Sequence, residues 1–366
     1  MVAGTTDSMP RTAAMDIFSH PDFDGHEQVV FSQNDRHGLK SIIAIHDTTL
    51  GPALGGCRIW KYRSEAEALS DVLRLSRGMS YKAALAGLAL GGGKAVILAD
   101  SRTEKTPGMM RAMGRAVERL GGRYIIAEDV GAEVADMDQI AKETRHVSGL
   151  SGGAGDPSPW TAKGVFLALK AALRHRLGRD PGQELEGVRV SVTGLGHVGS
   201  NLCRMLARAG ARLLVSDIRA DAVAGMVEAH GATAIAPEEA HSAAVEVFAP
   251  CALGAGLNAA TIPQIEATIV CGAANNQLAV AGDDARLAAR GILYAPDYLV
   301  NAGGLISVAR PSTGLSEAQA RARLEQIPET LLHVFALAEQ GGVAPGAAAD
   351  RLARARLNGT GPGPEA

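Results

Sequence analysis

Hydrophobic and polar positions along this chain switch between a period of two and a period near 3.6, and the switching predicts a β–α–β succession. KSIIAI at 40–45 is an apolar run of strand type, and the turn-rich GPALGG at 51–56 follows it. Ser64 opens SEAE, a capping box with Glu67 at its third helical position. Ala68, Leu69, Val72, Leu73 and Leu75 then form the apolar stripe of a helix laid on a sheet, predicted to end near Gly78. AVILAD after Lys94 and YIIAED further on read as strands, with a helix over about 107–120 between them. Such alternation predicts a mostly parallel sheet covered by helices, whose ligands gather at the carboxyl ends of strands, where Glu128 and Asp129 fall.

GLSGGAGDPSP at 149–159 is dense in Gly, Ser and Pro and marks a boundary. Residues 1–149 are expected to form one domain and 150–334 a second, with a helix over about 161–175 opening the latter. VRVSVTGLGHVGSNLCRMLARAGARLLVSD then combines a strand, Gly194, Gly196 and Gly199, a helix, and a second strand ending at Asp217. This is the dinucleotide fingerprint in its required context. Its glycines seat a pyrophosphate on the helix N-terminus, and Asp217 accepts from ribose hydroxyls and repels a 2′-phosphate. That favours NAD, with a small allowance for NADP from Arg219. VFAPCALGAGLN, TIVCGAANNQL and YAPDYLVNAGGLISV are three further strand-to-glycine junctions, bringing Asn275, Asn276 and Asn301 to the ligand edge. The C-terminal helices span about 316–356, and the tail GTGPGPEA reads as disordered.

With 366 residues and 46% hydrophobic content the chain can bury the cores of two domains. A net charge of −3 gives no reason to expect nucleic acid or an anionic membrane as partner. Cys57, Cys203, Cys251 and Cys271 are widely spaced, without a CxxC pair or a Cys/His cluster at zinc spacing, so neither metal nor a disulfide framework is indicated. The first fourteen residues lack the apolar core of a secretory signal, and no stretch reaches membrane-spanning length free of charge. These features predict a cytoplasmic protein with a small-molecule ligand, and Met15 is a possible natural start.

The segment GMSYKAALAGLALGGGK holds two lysines, Lys82 and Lys94, in almost uncharged surroundings. One lysine beside an apolar strand is an ordinary solvated edge. A second lysine and the triple glycine 91–93 point instead to an anion site and a base, because burial lowers a lysine pKa toward values useful for proton transfer. A nucleotide P-loop is excluded, since Leu88 and Ala95 stand where that motif requires Gly and Ser or Thr.

In order and spacing, GPALGG, GMSYK, LGGGKAVI, AEDVG, GLGHVG, APCALG, GAANNQL and YAPDYLVNAGG resemble the glutamate/leucine/phenylalanine/valine dehydrogenase superfamily, nearest its leucine and valine branch. The resemblance covers about 18–357. It implies two α/β domains with the active site between them: an N-terminal substrate domain, on which a C-terminal helix over about 335–357 packs back, and a Rossmann NAD-binding domain. It implies reversible oxidative deamination of an L-amino acid to a 2-oxo acid and ammonia with reduction of NAD, in a homo-oligomer. By the same resemblance Lys82 binds the substrate carboxylate, Lys94 is the catalytic base, and Asp129 takes part in proton transfer and holds the amino group. Thr161 matches the nicotinamide carboxamide position. Gly55 and Asn276 match substrate positions, Asn276 also lying near the nicotinamide ribose, and His197 and Val198 complete the cofactor turn.

The matching side-chain pocket is Leu54, Ala127, Leu305 and Val308, all apolar. A pocket without a cation rejects a second carboxylate, so leucine, valine and isoleucine are the expected substrates. Two departures from the family pattern are His197 in place of Asn and the segment ARPSTGLSEAQAR after Val308. They keep an aromatic or unusual amino acid as an alternative substrate. A catalytically silent NAD-binding sensor or assembly subunit is opposed by the joint presence of Lys82, Lys94 and Asp129. A hydroxy-acid dehydrogenase is opposed by the lack of a suitable histidine–acid pair.

Overall fold

The structure, a computed structural model, describes residues 17–153 and 155–360. The readings made above for the first fourteen residues, for Met15 and for the end of the tail lie outside those residues.

An antiparallel pair opens the chain, β1 (Gln28–Asn34) and β2 (Leu39–Asp47), joined by a tight turn capped by Asn34. β3 (Ala53–Trp60), α1 (Glu65–Leu85), β4 (Gly91–Leu98), α2 (Pro107–Glu118), β5 (Tyr124–Glu128) and α3 (Val134–Ile140) follow. Their sheet has the order β1-β2-β4-β3-β5. β3 pairs parallel with β4 and β5, whereas β2 runs antiparallel to both its neighbours, so this sheet is mixed.

The second half begins with α4 (Ser158–Leu177) and continues through β6 (Arg189–Thr193), α5 (His197–Arg208), β7 (Arg212–Ser216), α6 (Ala220–His230) and β8 (Thr233–Ala234). β9 (Val247–Pro250), β10 (Ile269–Val270), α7 (Gly282–Ala289) and β11 (Leu293–Tyr294) complete an all-parallel sheet of order β11-β10-β9-β6-β7-β8. The order reverses between β6 and β9, the switch point at which a doubly wound sheet opens its ligand crevice. α8 (Asp297–Val300), α9 (Gly303–Thr313), α10 (Glu317–Glu325), α11 (Ile327–Gly341) and α12 (Pro345–Leu357) end the described chain.

α11 packs on α4, while α12 crosses to α1 in the first half. There an Arg354 guanidinium nitrogen donates to Asp24 at 2.6 Å, and Arg356 donates to the Ala84 and Leu85 carbonyls at 3.1 and 3.0 Å. Among the described residues no helix is long and apolar enough to cross a membrane.

Several local expectations are corrected by packing. α1 does not stop at Gly78 but runs on to Leu85, so Lys82 lies on its last turn rather than beside a strand. A helix-interior glycine costs only about 1 kcal/mol. Among the described residues, no atom outside α1's own nearby backbone lies within 4 Å of where a Gly78 side chain would begin, and the space it leaves belongs to the cleft described below. GPALGG is largely strand β3, because a side chain at Gly55 would collide with the Gly93 carbonyl oxygen at 1.6 Å. The triple glycine likewise lies inside β4, where a Gly92 side chain would meet the Ser80 amide at 2.0 Å. What crowds these glycines is the protein's own chain: backbone at Gly55 and Gly91, the Ser80 backbone and hydroxyl at Gly92, and the Tyr124 ring at Gly93. Finally, the last junction is helical: after the two-residue β11, the VNAGGLISV stretch turns through α8 into α9.

Candidate active site

Lys94 sits in the interior strand β4 and is 5% exposed. Asp129 follows the last residue of β5. Lys94 Nζ lies 3.0 Å from Asp129 Oδ2, and the same oxygen accepts from Arg58 Nε at 3.0 Å. Burial by itself pushes the Asp129 carboxyl up, but Lys94 and Arg58 outweigh it and hold the group below the usual aspartate range. Arg58 is in turn bound by Asp71 of α1, which also accepts from the Tyr62 hydroxyl at 2.6 Å.

Lys82 reaches the same space from α1, four residues beyond Gly78 and therefore on the same helical face. Its Nζ donates to Asn275 Oδ1 at 3.0 Å, and that oxygen also accepts from Asn301 Nδ2 at 3.0 Å. Burial pushes the Lys82 pKa down to about 8, against the opposing pull of Asp297. Asp297 is itself pushed up by burial, although the Gln277 amide donates to it at 2.7 Å. The depression by low polarity thus falls on Lys82, the lysine expected to stay charged.

Lys82, Lys94 and Asp129 converge on a cleft of about 340 Å³ between the two halves. Leu54, Ala127, Leu305 and Val308 contribute its apolar wall, as their positions in the resemblance require, and Thr161, Val198 and Asn276 also line it. Ser148 ties the halves together by donating to the Val308 carbonyl at 3.0 Å. Asn276 holds a left-handed φ of 51°, an uncommon conformation for which Asn is among the tolerant residues. Gly55 is not part of the wall; its carbonyl accepts from the Tyr124 hydroxyl at 2.7 Å. The divergent ARPSTGLSEAQAR segment forms the end of α9 and the start of α10. Its Arg310 and Arg321 guanidinium groups lie 6.0 and 5.2 Å from the Trp160 ring centre, next to Thr161.

The fingerprint residues surround a neighbouring cleft of about 1210 Å³ at the β6–β9 switch point, lined by Gly194, Gly196, His197 and Asp217 among others. Gly194 has φ +90°, and a side chain there would strike the Ala252 amide at 2.7 Å. A side chain at Gly199 would lie 1.9 Å from the Gly194 carbonyl oxygen, so Gly199 closes the turn rather than lining the cleft. Gly196 caps α5 without a side chain, and among the described residues no atom beyond its chain neighbours lies within 4 Å of its missing Cβ. The first N–H groups of α5 therefore face open space, a cradle that fits a pyrophosphate. Asp217 accepts from the Leu195 and Arg219 amides at 2.6 and 2.8 Å, bonds that outweigh burial and keep its carboxyl low. Val198, one residue into α5, also lines the cleft that holds Lys82, Lys94 and Asp129, so a dinucleotide lying along this turn would reach that cleft.

Three residues of these sites escaped the sequence reading or were left there without a role. Arg58 shows in sequence only as a lone cation within an otherwise uncharged strand. Asp156, which faces His197 electrostatically, lay hidden in the boundary segment. Asn275 was noticed only as a polar group at a strand end.

The fold and site agree with known proteins. Residues 26–146 match the family model described as Glu/Leu/Phe/Val dehydrogenase, dimerisation domain, and residues 211–349 match the Glutamate/Leucine/Phenylalanine/Valine dehydrogenase model. The leucine dehydrogenase of Geobacillus stearothermophilus is 49% identical over 346 residues, 94% of each chain. The valine dehydrogenase of Streptomyces coelicolor is 49% identical over 344 residues, 92% of this chain and 94% of that one. Among solved structures, the L-tryptophan dehydrogenase of Nostoc punctiforme superposes with a TM-score of 0.81 at 46% identity, over 92% of this chain and 97% of that one. Two lysines and an aspartate at one cleft, a glycine turn at a helix N-terminus beside it, and these likenesses over nearly the whole length lead to one conclusion: the chain belongs to the glutamate/leucine/phenylalanine/valine dehydrogenase family.

Proposed function

We propose that the protein catalyses the NAD-dependent, reversible oxidative deamination of branched-chain L-amino acids (leucine, valine and isoleucine) to 2-oxo acids and ammonia. The observation that carries this reading is the convergence of Lys82, Lys94 and Asp129 on a cleft whose remaining wall includes Leu54, Ala127, Leu305 and Val308. Lys82 pairs with the substrate carboxylate, and Asp129 receives the amino group. The apolar wall takes an aliphatic side chain and rejects a second carboxylate, which would be desolvated there without a partner.

Gly194, Gly196 and the first turn of α5 hold the dinucleotide, with Thr161 and Val198 at its nicotinamide end. Bound NAD supplies the hydride acceptor for the α-carbon. Lys94 takes a proton from the water that attacks the resulting substrate iminium, and Asp129 carries protons to and from the amino group as the carbinolamine releases ammonia. Fixing these groups around one carbon is the main contribution of the fold.

NAD is preferred over NADP because Asp217 occupies the ribose end. The Arg219 guanidinium, the available partner for a 2′-phosphate, is turned back onto the Leu195 carbonyl at 3.0 Å and onto Asp217 at 3.5 Å. The dimerisation description of the matched first domain supports a homo-oligomer. Four free thiols support a reducing compartment, the cytoplasm.

The test is a kcat/KM panel over aliphatic and aromatic L-amino acids with NAD and with NADP. The expected result is highest efficiency with the branched aliphatic substrates and NAD. Absence of turnover with every L-amino acid sinks the reading. Tryptophan and phenylalanine belong on the panel because the solved relative named above is a tryptophan dehydrogenase.

A further inference from the structure

Asp129 spends one oxygen on two cations. Lys94 Nζ and Arg58 Nε both contact Oδ2 at 3.0 Å, and among the described residues no hydrogen bond falls on Oδ1. Arg58 cannot follow Asp129 if it moves, because its second branch is held by both oxygens of Asp71 at 3.2 and 2.9 Å. Asp71 is anchored on α1 and by the Tyr62 hydroxyl at 2.6 Å. Tyr62, Asp71, Arg58, Asp129 and Lys94 thus form an unbroken chain from the segment after β3 to the interior of the sheet.

We propose that Arg58 is a positioning residue for the deamination: it fixes Oδ2 of Asp129, leaves Oδ1 for the substrate amino group, and makes proton release from the Lys94–Asp129 pair possible. Formal charge shows why. Lys94, Asp129, Arg58 and Asp71 sum to zero when Lys94 is protonated and to −1 when it is neutral. A site at −1 suits the arrival of a cationic amino group. Without Arg58 the neutral-lysine state would stand at −2, and proton release from the pair would be opposed by an extra uncompensated carboxylate charge. An arginine suits this place because its charge is permanent and its planar fork reaches two carboxylates at once.

The charged and titratable groups in and around this cluster are Asp71 and Lys82 from α1, Lys94 from β4, Asp129 after β5, Tyr62 after β3 and Tyr124 from β5, with Asp297 of α8 acting on Lys82. Cys57, next to Arg58 on β3, also feels Asp129 and Lys94, but burial pushes its thiol up to about 12 and keeps it neutral.

This inference rests on the proposed deamination. The experiment measures kcat and kcat/KM for L-leucine between pH 7 and 11, with NADH binding by fluorescence, for the parent and for R58Q, R58K and D71N. The expected result for R58Q is a loss in kcat of at least about 100-fold, a half-maximal pH for kcat/KM at least about one unit higher, and an unchanged NADH affinity. R58K should recover part of both effects, since it restores one charge but not the fork, and D71N, which removes a negative charge from the cluster, should shift the profile the opposite way, to lower pH and by less. A folded, NADH-binding R58Q with the parent's pH profile overturns the proposal, as does an R58K no better than R58Q. Should R58Q bind no NADH, D71N decides, and a profile that does not move to lower pH overturns the proposal. A parent inactive on all L-amino acids sinks the deamination reading itself, whereas an active parent with unshifted variants sinks only the role of Arg58.

Discussion

Lys82 Nζ and Asn275 Oδ1 meet at 3.0 Å across the cleft, joining the first-half helix α1 to the loop after β10 in the second half. In the proposed reaction the substrate carboxylate enters where a contact between the two halves already exists. An ammonium has three donors, so Lys82 can keep Asn275 and still present two to a carboxylate.

The proposed carboxylate contact of Lys82 should make ligand binding depend on pH. Its folded-state pKa is about 8 against an ordinary 10.5, so it is cationic below about pH 8 and loses its charge above. Affinity for a 2-oxo acid in the NADH complex, measured by fluorescence without ammonia, should weaken as pH rises through 8. Lys82→Ala should bind weakly with no break there. Stability follows the same group: between about 8 and 10.5 the unfolded chain holds a proton that the folded chain has released, so this contribution rises with pH across that window. Lys82→Met should consequently raise Tm most below pH 8, with the gain fading toward 10.5.

Lys94→Ala removes the proposed base while leaving the α5 cradle intact. Leucine oxidation should fall by about 10²–10⁴-fold, with NADH affinity unchanged. Retention of more than a tenth of parental kcat would assign proton transfer elsewhere.

Leu305 and Val308 stand on α9 in the apolar wall. Leu305→Val deletes one methylene, worth about 1–3 kcal/mol of discrimination. The ratio of kcat/KM for leucine over valine should rise by about tenfold or more as the pocket deepens. An unchanged ratio would show that the side chain lies elsewhere.

Gly92 carries the approach of α1 to β4. Gly92→Ala places a carbon 2.0 Å from the Ser80 amide, in backbone that cannot swing aside. Destabilisation of about 3 kcal/mol or more is expected, read by urea denaturation. Where the variant still folds, KM for the amino acid should rise more than KM for NAD, because α1 carries Lys82.

The dinucleotide half was legible because its signals are local. A strand, three spaced glycines, a helix and an acid at the next strand end lie within one βαβ unit, and the demand on Gly199 comes from the nearby Gly194 carbonyl, although that on Gly194 comes from Ala252. The first half was less so. Gly55, Gly56 and Gly91–Gly93 read locally as turn or ligand-loop chemistry, yet all lie in strands, because the demand on them comes from residues distant in sequence such as Ser80, Asp47 and Tyr124. Gly78 read as a helix end because glycine is a poor helix former, yet α1 runs through it to Leu85.

The sequence by itself determined the chemistry present: two lysines in apolar surroundings, an aspartate at a strand end, a dinucleotide turn, and pocket positions without charge. Only the tertiary structure decided how that chemistry is divided. It set Lys82 under the desolvation that lowers a lysine and gave Lys94 an aspartate at 3.0 Å. It also brought in Arg58 and Asp71 as partners that no spacing announces. The reason is physical: side-chain identity is written residue by residue, whereas burial and the distance between charges arise only when strands and helices remote in sequence close on one another.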